Sequence, residues 1–170
     1  PSPGLLKLSI HARKRSDTAL IARQGDTMRL LLLLSLAFGF TIALAEDAQT
    51  LLPGAHAHND YKHARPLEDA LSHGFQSVEA DIFLIDGQLL VAHDRHEVKP
   101  ERTLQSLYLD PLKERANKHA GHVYAKSKEP FYLLIDLKSK GEPTYKALHH
   151  VLTQYQDMLT EFKDTQVDRK

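Results

Sequence analysis

Two acidic side chains alternate with apolar residues in one short segment. Glu79 and Asp81 are interleaved with Val78, Ala80 and Ile82. Alternate residues of a β-strand point to opposite faces, so both carboxylates would lie on one face of a buried strand. Neighbouring buried anions repel each other and are costly to desolvate unless something compensates. The pattern therefore predicts either a divalent-cation site or an internal ion-pair network with lysine or arginine.

A third carboxylate occupies a comparable position further along the chain. Asp136 lies near the end of the apolar run 131–137 and shares its strand face with Tyr132, Leu134 and Lys138. Open α/β sheets and βα barrels place catalytic groups at the C-terminal ends of strands. Three converging carboxylates would supply the oxygen ligands that Mg²⁺ or Ca²⁺ prefers. Asp136 alone could equally cap the following helix.

Histidine is frequent, with 11 in the chain, and two stand where extended segments open into loops. His56 begins the run HAHNDY after a Pro-Gly loop, and His93 precedes Asp94. Histidines in such positions are suited to general acid and base catalysis, because their pKa lies near neutrality. Most other histidines are interpreted as surface or structural residues: His63, His73, His96, His119, His122, His149 and His150.

The elements that would position these residues follow from periodicity. Strands are predicted over 75–85, 89–92 and 131–137, and the first is apolar enough to be buried on both faces. Helices are predicted over 66–73, 103–109 and 111–120, and a long amphipathic helix from Pro143 to Phe162. Strands alternating with helices predict an α/β fold with helices covering a sheet.

The segment 28–45 has the features of a secretory signal peptide. Met28 and Arg29 precede an apolar run that ends in Ala43-Leu44-Ala45. The run is shorter than the roughly 20 residues that cross a bilayer, which disfavours a stable transmembrane anchor and predicts a secreted or extracytoplasmic protein. Residues 1–27 match no structural period and are interpreted as an upstream or disordered leader. The folded domain is therefore predicted over 46–170.

Charge and cysteine content exclude two classes of protein. The chain carries 22 basic and 22 acidic side chains, but residues 1–29 hold six basic against two acidic ones. The remaining chain is therefore acidic and would repel a nucleic acid. With no cysteine, the chain is not a disulfide-stapled scaffold.

Taken in order, these residues resemble the phospholipase C-like phosphodiesterase superfamily, which includes glycerophosphodiester phosphodiesterases and spider-type sphingomyelinases D. The motifs that carry the resemblance are His56-x-x-Asn59, Gly74-x-x-x-x-Glu79-x-Asp81, His93-Asp94 and Asp136-Leu137-Lys138. More closely, the runs HAHNDY, RPL and DAL between residues 56 and 71 are similar to the branch named after the altered inheritance of mitochondria proteins. The resemblance covers 52–138.

The resemblance implies a (β/α)₈ TIM barrel of the phospholipase C-like type, of which residues 46–170 would form the N-terminal portion. A complete barrel takes about 250 residues, so the chain is expected to be incomplete and the whole protein to be a monomer. The implied function is metal-dependent hydrolysis of a phosphodiester in a glycerophosphodiester or a phospholipid headgroup, within lipid metabolism.

The resemblance also implies a role for individual residues. His56 and His93 match the acid and base pair, whereas Lys138 matches a residue that contacts the substrate phosphate. Asn59 matches a polar neighbour of the first histidine and is assigned to substrate binding. The ligands of one Mg²⁺ or Ca²⁺ would be Glu79, Asp81 and Asp136.

Two other interpretations remain open on these residues. His56 and His58 could form the metal pair of an amidohydrolase-like enzyme, because alternation places both on one strand face. Alternatively, the chain could be a secreted, non-catalytic homologue that binds a phospholipid headgroup or another anion. Metal identity and phosphodiester turnover distinguish these interpretations.

Overall fold

A computed structural model describes residues 5–10, 50–163 and 166–169 of the protein. The predicted signal peptide at 28–45 lies outside the described residues, as does all of the predicted leader except residues 5–10. Within the described part of the chain, no helix combines the length and apolarity needed to cross a membrane.

A five-stranded mixed sheet lies at the centre of the fold. β3 is paired in parallel with β2 on one side and with β5 on the other. β4 runs antiparallel beside the second half of β3, on the edge that β2 occupies along the first half. The strands are β1 (Leu5–Ile10), β2 (Leu52–Ala57), β3 (Phe75–Ile85), β4 (Gln88–Val91) and β5 (Phe131–Leu137).

Helices pack against one face of this sheet. They are α1 (Glu68–Ser72), α2 (Asp110–Lys118) and α3 (Gly141–Leu152), and a π-helical turn, Gln105–Leu109, leads into α2. Alternate residues of β5 are buried, as the sequence predicts for a strand with one face on a core. The fully buried core side chains include Val78, Ala80, Ile82, Leu112, Leu133, Ile135 and Leu148. The predicted mixture of strands and covering helices in an α/β fold is confirmed.

The predicted bounds of β3 and β5 agree with the structure, but the last helix is shorter than predicted. α3 ends at Leu152, and Phe162 lies in β6 (Glu161–Lys163), which pairs with β7 (Gln166–Arg169) in a separate hairpin. The helical spacing continues past Leu152 because Tyr155 and Leu159 are also buried, although they reach the core through a turn. Buried residues therefore continue to recur at helical spacing beyond the end of α3, and the sequence pattern alone overestimates the length of the helix.

β1 corrects the interpretation of residues 1–27 as a segment outside the fold. Leu5–Ile10 pairs antiparallel with the outer edge of β5. Ile10 is 1% exposed, and the Lys7 ammonium lies 3.7 Å from the centroid of the Tyr132 ring. The sequence does carry a strand signal here, because apolar and polar residues alternate from Leu6 to Ile10, and the interpretation of the whole segment as a leader overlooked it.

Candidate active site

The carboxylates and histidines follow one face of β3. Ser77, Glu79 and Asp81 point to the face opposite the helix-covered core, as strand alternation requires. β5 continues this face, because Asp136 is the direct partner of Asp81 across the parallel ladder. The sheet thereby brings acidic side chains from two strands, far apart in the sequence, to one place.

Glu79, Asp81 and Asp136 form a compact carboxylate cluster. One oxygen from each residue lies within 4.8 Å of the others. Glu79 is 9% and Asp81 1% exposed, so the predicted burial of this acidic pair is observed. Asp81 Oδ1 is buried and has no hydrogen-bond partner in the structure. A buried carboxylate oxygen without a donor is costly, and a cation at this position would compensate it.

Lys138 bridges two of the three carboxylates. Its Nζ lies 2.8 Å from Asp136 Oδ2 and 3.2 Å from Asp81 Oδ2. The hydrogen bond to Asp136 raises the pKa of the Lys138 ammonium, and a second bond to Asp81 adds to the effect although partial burial opposes it. The predicted ion pairing with lysine is therefore present. One ammonium against three carboxylates still leaves the cluster an excess of negative charge.

His93 lies on this face of the sheet, beside Asp81. It follows β4 after Ala92, and its Nδ1 lies 3.0 Å from Asp81 Oδ2. Its side chain remains 40% exposed although Asp81 is almost fully buried. With Nδ1 held by the carboxylate, Nε2 is the nitrogen that can exchange a proton with a bound molecule.

His56 and His58 stand at the other end of the face. His56 Nδ1 lies 2.9 Å from Ser77 Oγ, and His58 Nε2 lies 3.2 Å from Glu79 Oε2. The two predicted acid and base histidines, His56 and His93, therefore flank the carboxylate row. Among the described residues, neither His56 nor His58 belongs to a group of three or more side chains close enough to hold a metal ion. This arrangement disfavours the amidohydrolase-like metal pair.

Asn59 supports the cluster through its backbone. It adopts a left-handed conformation with φ of 51°, which asparagine tolerates better than most residues. Its N–H donates to Glu79 Oε2 at 3.2 Å, and its Oδ1 lies 2.6 Å from the Tyr61 hydroxyl. The structure thus links Asn59 to the carboxylates, whereas its contact with a substrate stays a prediction.

Tyr61 belongs to the site and Asp60 anchors the loop that carries it, although neither residue is among the site residues predicted from the sequence. The Tyr61 hydroxyl lies 2.7 Å from Asp81 Oδ2, and burial raises the pKa of this hydroxyl so that it stays protonated. Asp60 accepts hydrogen bonds from the Leu67 N–H at 2.6 Å and the Tyr108 hydroxyl at 2.9 Å. The signal in the sequence was the polar run HNDY itself, but nothing local in it indicates burial.

A cavity of about 640 Å³ opens beside β2 and α1. Its walls combine imidazole, carboxylate and apolar side chains, and His56 is one of the lining residues. Of the predicted site residues, only His56 lines this cavity, whereas the three carboxylates, His93 and Lys138 lie outside it. Further lining residues include His58, His63, Asp69, His73 and Phe75.

A family comparison assigns the chain. The model of the AIM6-like phosphodiesterase domain matches residues 46–170. The chain belongs to the AIM6-like phosphodiesterase family. Its membership confirms the resemblance to the altered inheritance of mitochondria branch, which the order of histidine and acidic motifs predicted. The family name agrees with a phosphodiesterase and not with an amidohydrolase.

Several curated proteins are similar to this AIM6-like chain. Altered inheritance of mitochondria protein 6 of Kluyveromyces lactis is 35% identical over 131 residues, which cover 62% of this chain and 31% of the relative. The homologue from Arthroderma benhamiae is 36% identical over 121 residues, covering 61% of this chain and 38% of the relative. In Saccharomyces cerevisiae the corresponding protein is 36% identical over 106 residues, covering 55% and 27%.

The AIM6-like chain spans about a third of the length of these relatives. No solved structure matches it.

Proposed function

We propose that this AIM6-like phosphodiesterase hydrolyses a phosphodiester with the help of one divalent cation. The observation that carries the proposal is the carboxylate cluster, in which oxygens of Glu79, Asp81 and Asp136 lie within 4.8 Å of one another. Its excess negative charge and the unpartnered Asp81 Oδ1 suit a hard cation such as Mg²⁺ or Ca²⁺. A cation bound there would supply a positive charge for the phosphoryl oxygens.

The two histidines would move the protons of the reaction. Water attacks phosphorus while the bond from phosphorus to the alcohol oxygen breaks. One of His56 and His93 accepts the proton of the attacking water, and the other donates a proton to the departing alkoxide. Their placement at opposite ends of the carboxylate row supports this division of roles, because attack and departure occur on opposite sides of the phosphorus atom.

Lys138 and Asn59 would bind the substrate. The Lys138 ammonium lies at the edge of the carboxylate cluster with 27% of its side chain exposed, so it can reach a phosphate oxygen as well as Asp136. Hydrogen bonds from an ammonium stabilise the charge that develops on the phosphoryl group. The substrate would be a glycerophosphodiester or a phospholipid headgroup.

The proposal extends to the protein as a whole. The parallel order of β2, β3 and β5, with helices against one face, suits the first part of a (β/α)₈ barrel. We further propose that the complete barrel is monomeric, and that the predicted signal peptide at 28–45 directs the protein out of the cytoplasm.

A turnover assay tests the proposed hydrolysis. The protein, in the length that its gene encodes, is incubated with bis(4-nitrophenyl) phosphate and with glycerophosphocholine, before and after chelation. We expect turnover that chelator abolishes and that Mg²⁺ or Ca²⁺ restores. Turnover that survives excess chelator would rule out the cation. Restoration by Zn²⁺ alone would favour the amidohydrolase-like alternative, and headgroup binding without turnover would favour the non-catalytic one.

A further inference from the structure

We infer that Tyr61 is a positioning residue of the site, which orients the Asp81 carboxylate and the His93 ring. The inference rests on the proposed function. It adds a residue that is neither a proposed cation ligand nor one of the two acid–base histidines. Tyr61 is 4% exposed, so its hydroxyl acts on other side chains of the protein and not directly on a substrate.

The Tyr61 hydroxyl lies at the meeting point of three site residues. It is 2.6 Å from Asn59 Oδ1, 2.7 Å from Asp81 Oδ2 and 3.3 Å from His93 Nδ1. The Tyr61 hydroxyl thus connects the loop after β2, the middle of β3 and the loop after β4.

The two oxygens of the Asp81 carboxylate differ in their contacts. Oδ2 is engaged by three groups, the Tyr61 hydroxyl, His93 Nδ1 and Lys138 Nζ. Oδ1 is buried and has no hydrogen-bond partner. Because the donors lie on one oxygen, the carboxylate is held with the other oxygen available as a ligand. Groups that orient metal ligands in this way commonly determine cation affinity.

The backbone around Tyr61 is itself fixed, which makes its hydroxyl a rigid donor. The Arg102 guanidinium donates to the Tyr61 carbonyl. The preceding residue, Asp60, is fully buried and anchored by the Leu67 N–H and the Tyr108 hydroxyl. Preorganised donors hold a site within the narrow tolerance that catalysis requires.

The substitution Tyr61→Phe removes the hydroxyl and keeps the buried ring. We expect the affinity for Mg²⁺ or Ca²⁺, measured by titration calorimetry, to fall by about 10- to 100-fold, as is usual when an orienting partner of a ligand is lost. We also expect kcat to fall and KM to change little, because the hydroxyl does not contact the substrate. Cation affinity equal to that of the wild type would overturn the inference.

Tyr155→Phe provides the matched control. Tyr155 is also buried and its hydroxyl lies 2.6 Å from a carboxylate oxygen, Asp110 Oδ1, outside the site. Its loss should leave cation affinity and kcat unchanged. An equal drop in both variants would show that any buried tyrosine hydroxyl has this effect through stability, which would contradict a positioning role for Tyr61.

A measurement on the unmodified protein removes dependence on how the variant folds. Nitrogen NMR of His93 at a pH where the ring is neutral should show the tautomer with the proton on Nδ1, which faces Asp81 and Tyr61. A proton on Nε2 instead would leave Nδ1 unable to donate to Asp81 Oδ2, and would overturn the inferred joint positioning of the Asp81 carboxylate and the His93 ring. Absence of phosphodiester turnover would overturn the proposed hydrolysis alone, because calorimetry and NMR require no substrate.

Discussion

Asp81 lies directly opposite Asp136 in the parallel ladder that joins β3 to β5. Oxygens of both carboxylates contact the Lys138 ammonium, at 3.2 and 2.8 Å. Two like charges face each other on adjacent strands, a pairing that is destabilising unless a positive charge lies between them. The register of two strands, rather than any loop, therefore places the acidic groups of the site.

The substitution Asp136→Asn should weaken cation binding. It removes one negative charge and keeps the shape of the side chain, so we expect the affinity for Mg²⁺ or Ca²⁺ to fall at least about 10-fold by calorimetry. Asp157→Asn is the control, because Asp157 is exposed and pairs with Lys113 away from the site. Equal affinity in the Asp136 variant and the wild type would contradict the proposed ligand set.

Replacing either His56 or His93 by alanine should slow phosphodiester hydrolysis. General acid and base groups contribute about 10²- to 10⁴-fold to a rate, so kcat should fall within that range in each variant. His150→Ala, at an exposed position on α3, should retain the wild-type rate. Normal turnover by His93→Ala would remove its acid–base role without affecting the assignment of the carboxylates.

The elements that carry the site could be predicted because their signals are local. β3 and β5 are apolar runs with alternating acidic or polar positions, and their bounds agree with those expected from the sequence. Alternation also places Glu79 and Asp81 on one face without knowledge of any neighbouring strand. The order of the histidine and acidic motifs then led to the family, which the match over residues 46–170 confirms.

The contacts made by loops could not be predicted, because they depend on partners far along the chain. Tyr61 reaches Asp81 and His93, which follow it by 20 and 32 residues. Asp60 is anchored by Tyr108, 48 residues away. No periodicity in a polar run such as HNDY indicates that its side chains turn inward. β1 is a different case, since the alternation from Leu6 to Ile10 is a local strand signal, and only its pairing with the outer edge of β5 needed the structure.

Asp60 should make the free energy of unfolding depend on pH. Burial raises the pKa of its carboxyl above the ordinary value of 3.8. The folded state then holds this proton more tightly than the unfolded chain, so the contribution of Asp60 to stability falls as the pH rises from about 3.8 to its folded pKa. Asparagine has no such charge. Relative to the wild type, Asp60→Asn should gain stability as the pH rises above about 3.8.

Urea unfolding of both proteins at several pH values measures this difference. Tyr108→Phe removes one donor to Asp60 and should enlarge the pH dependence, because that hydrogen bond stabilises the charged carboxylate. A stability difference between Asp60→Asn and the wild type that is constant with pH would show that Asp60 titrates alike in the folded and unfolded states.

Removal of residues 1–45 should promote self-association. Leu5–Ile10 pairs with the outer edge of β5, and its loss would expose the N–H and C=O groups of that strand. Tyr132 and Leu134, which are partly buried, would become more exposed on the same side. Size-exclusion chromatography of residues 46–170 over a range of concentrations should show species larger than the monomer. A monodisperse, cooperatively melting monomer would contradict the expectation.

The parallel pairing of β3 with β5 also has a consequence for how the protein folds. The hydrogen bond from the Leu84 N–H to Ser139 Oγ, beside this ladder, joins residues 55 positions apart. Contacts between residues so far apart in the sequence form slowly, since a long loop must close before they contribute any stability. Asp136 lies in β5, so during synthesis it can join Glu79 and Asp81 only after the chain between β4 and β5 has been made. A chain that has completed β4 but not β5 contains two of the three carboxylates, so the cluster cannot form before β5 has been made and should be lost whenever β5 detaches.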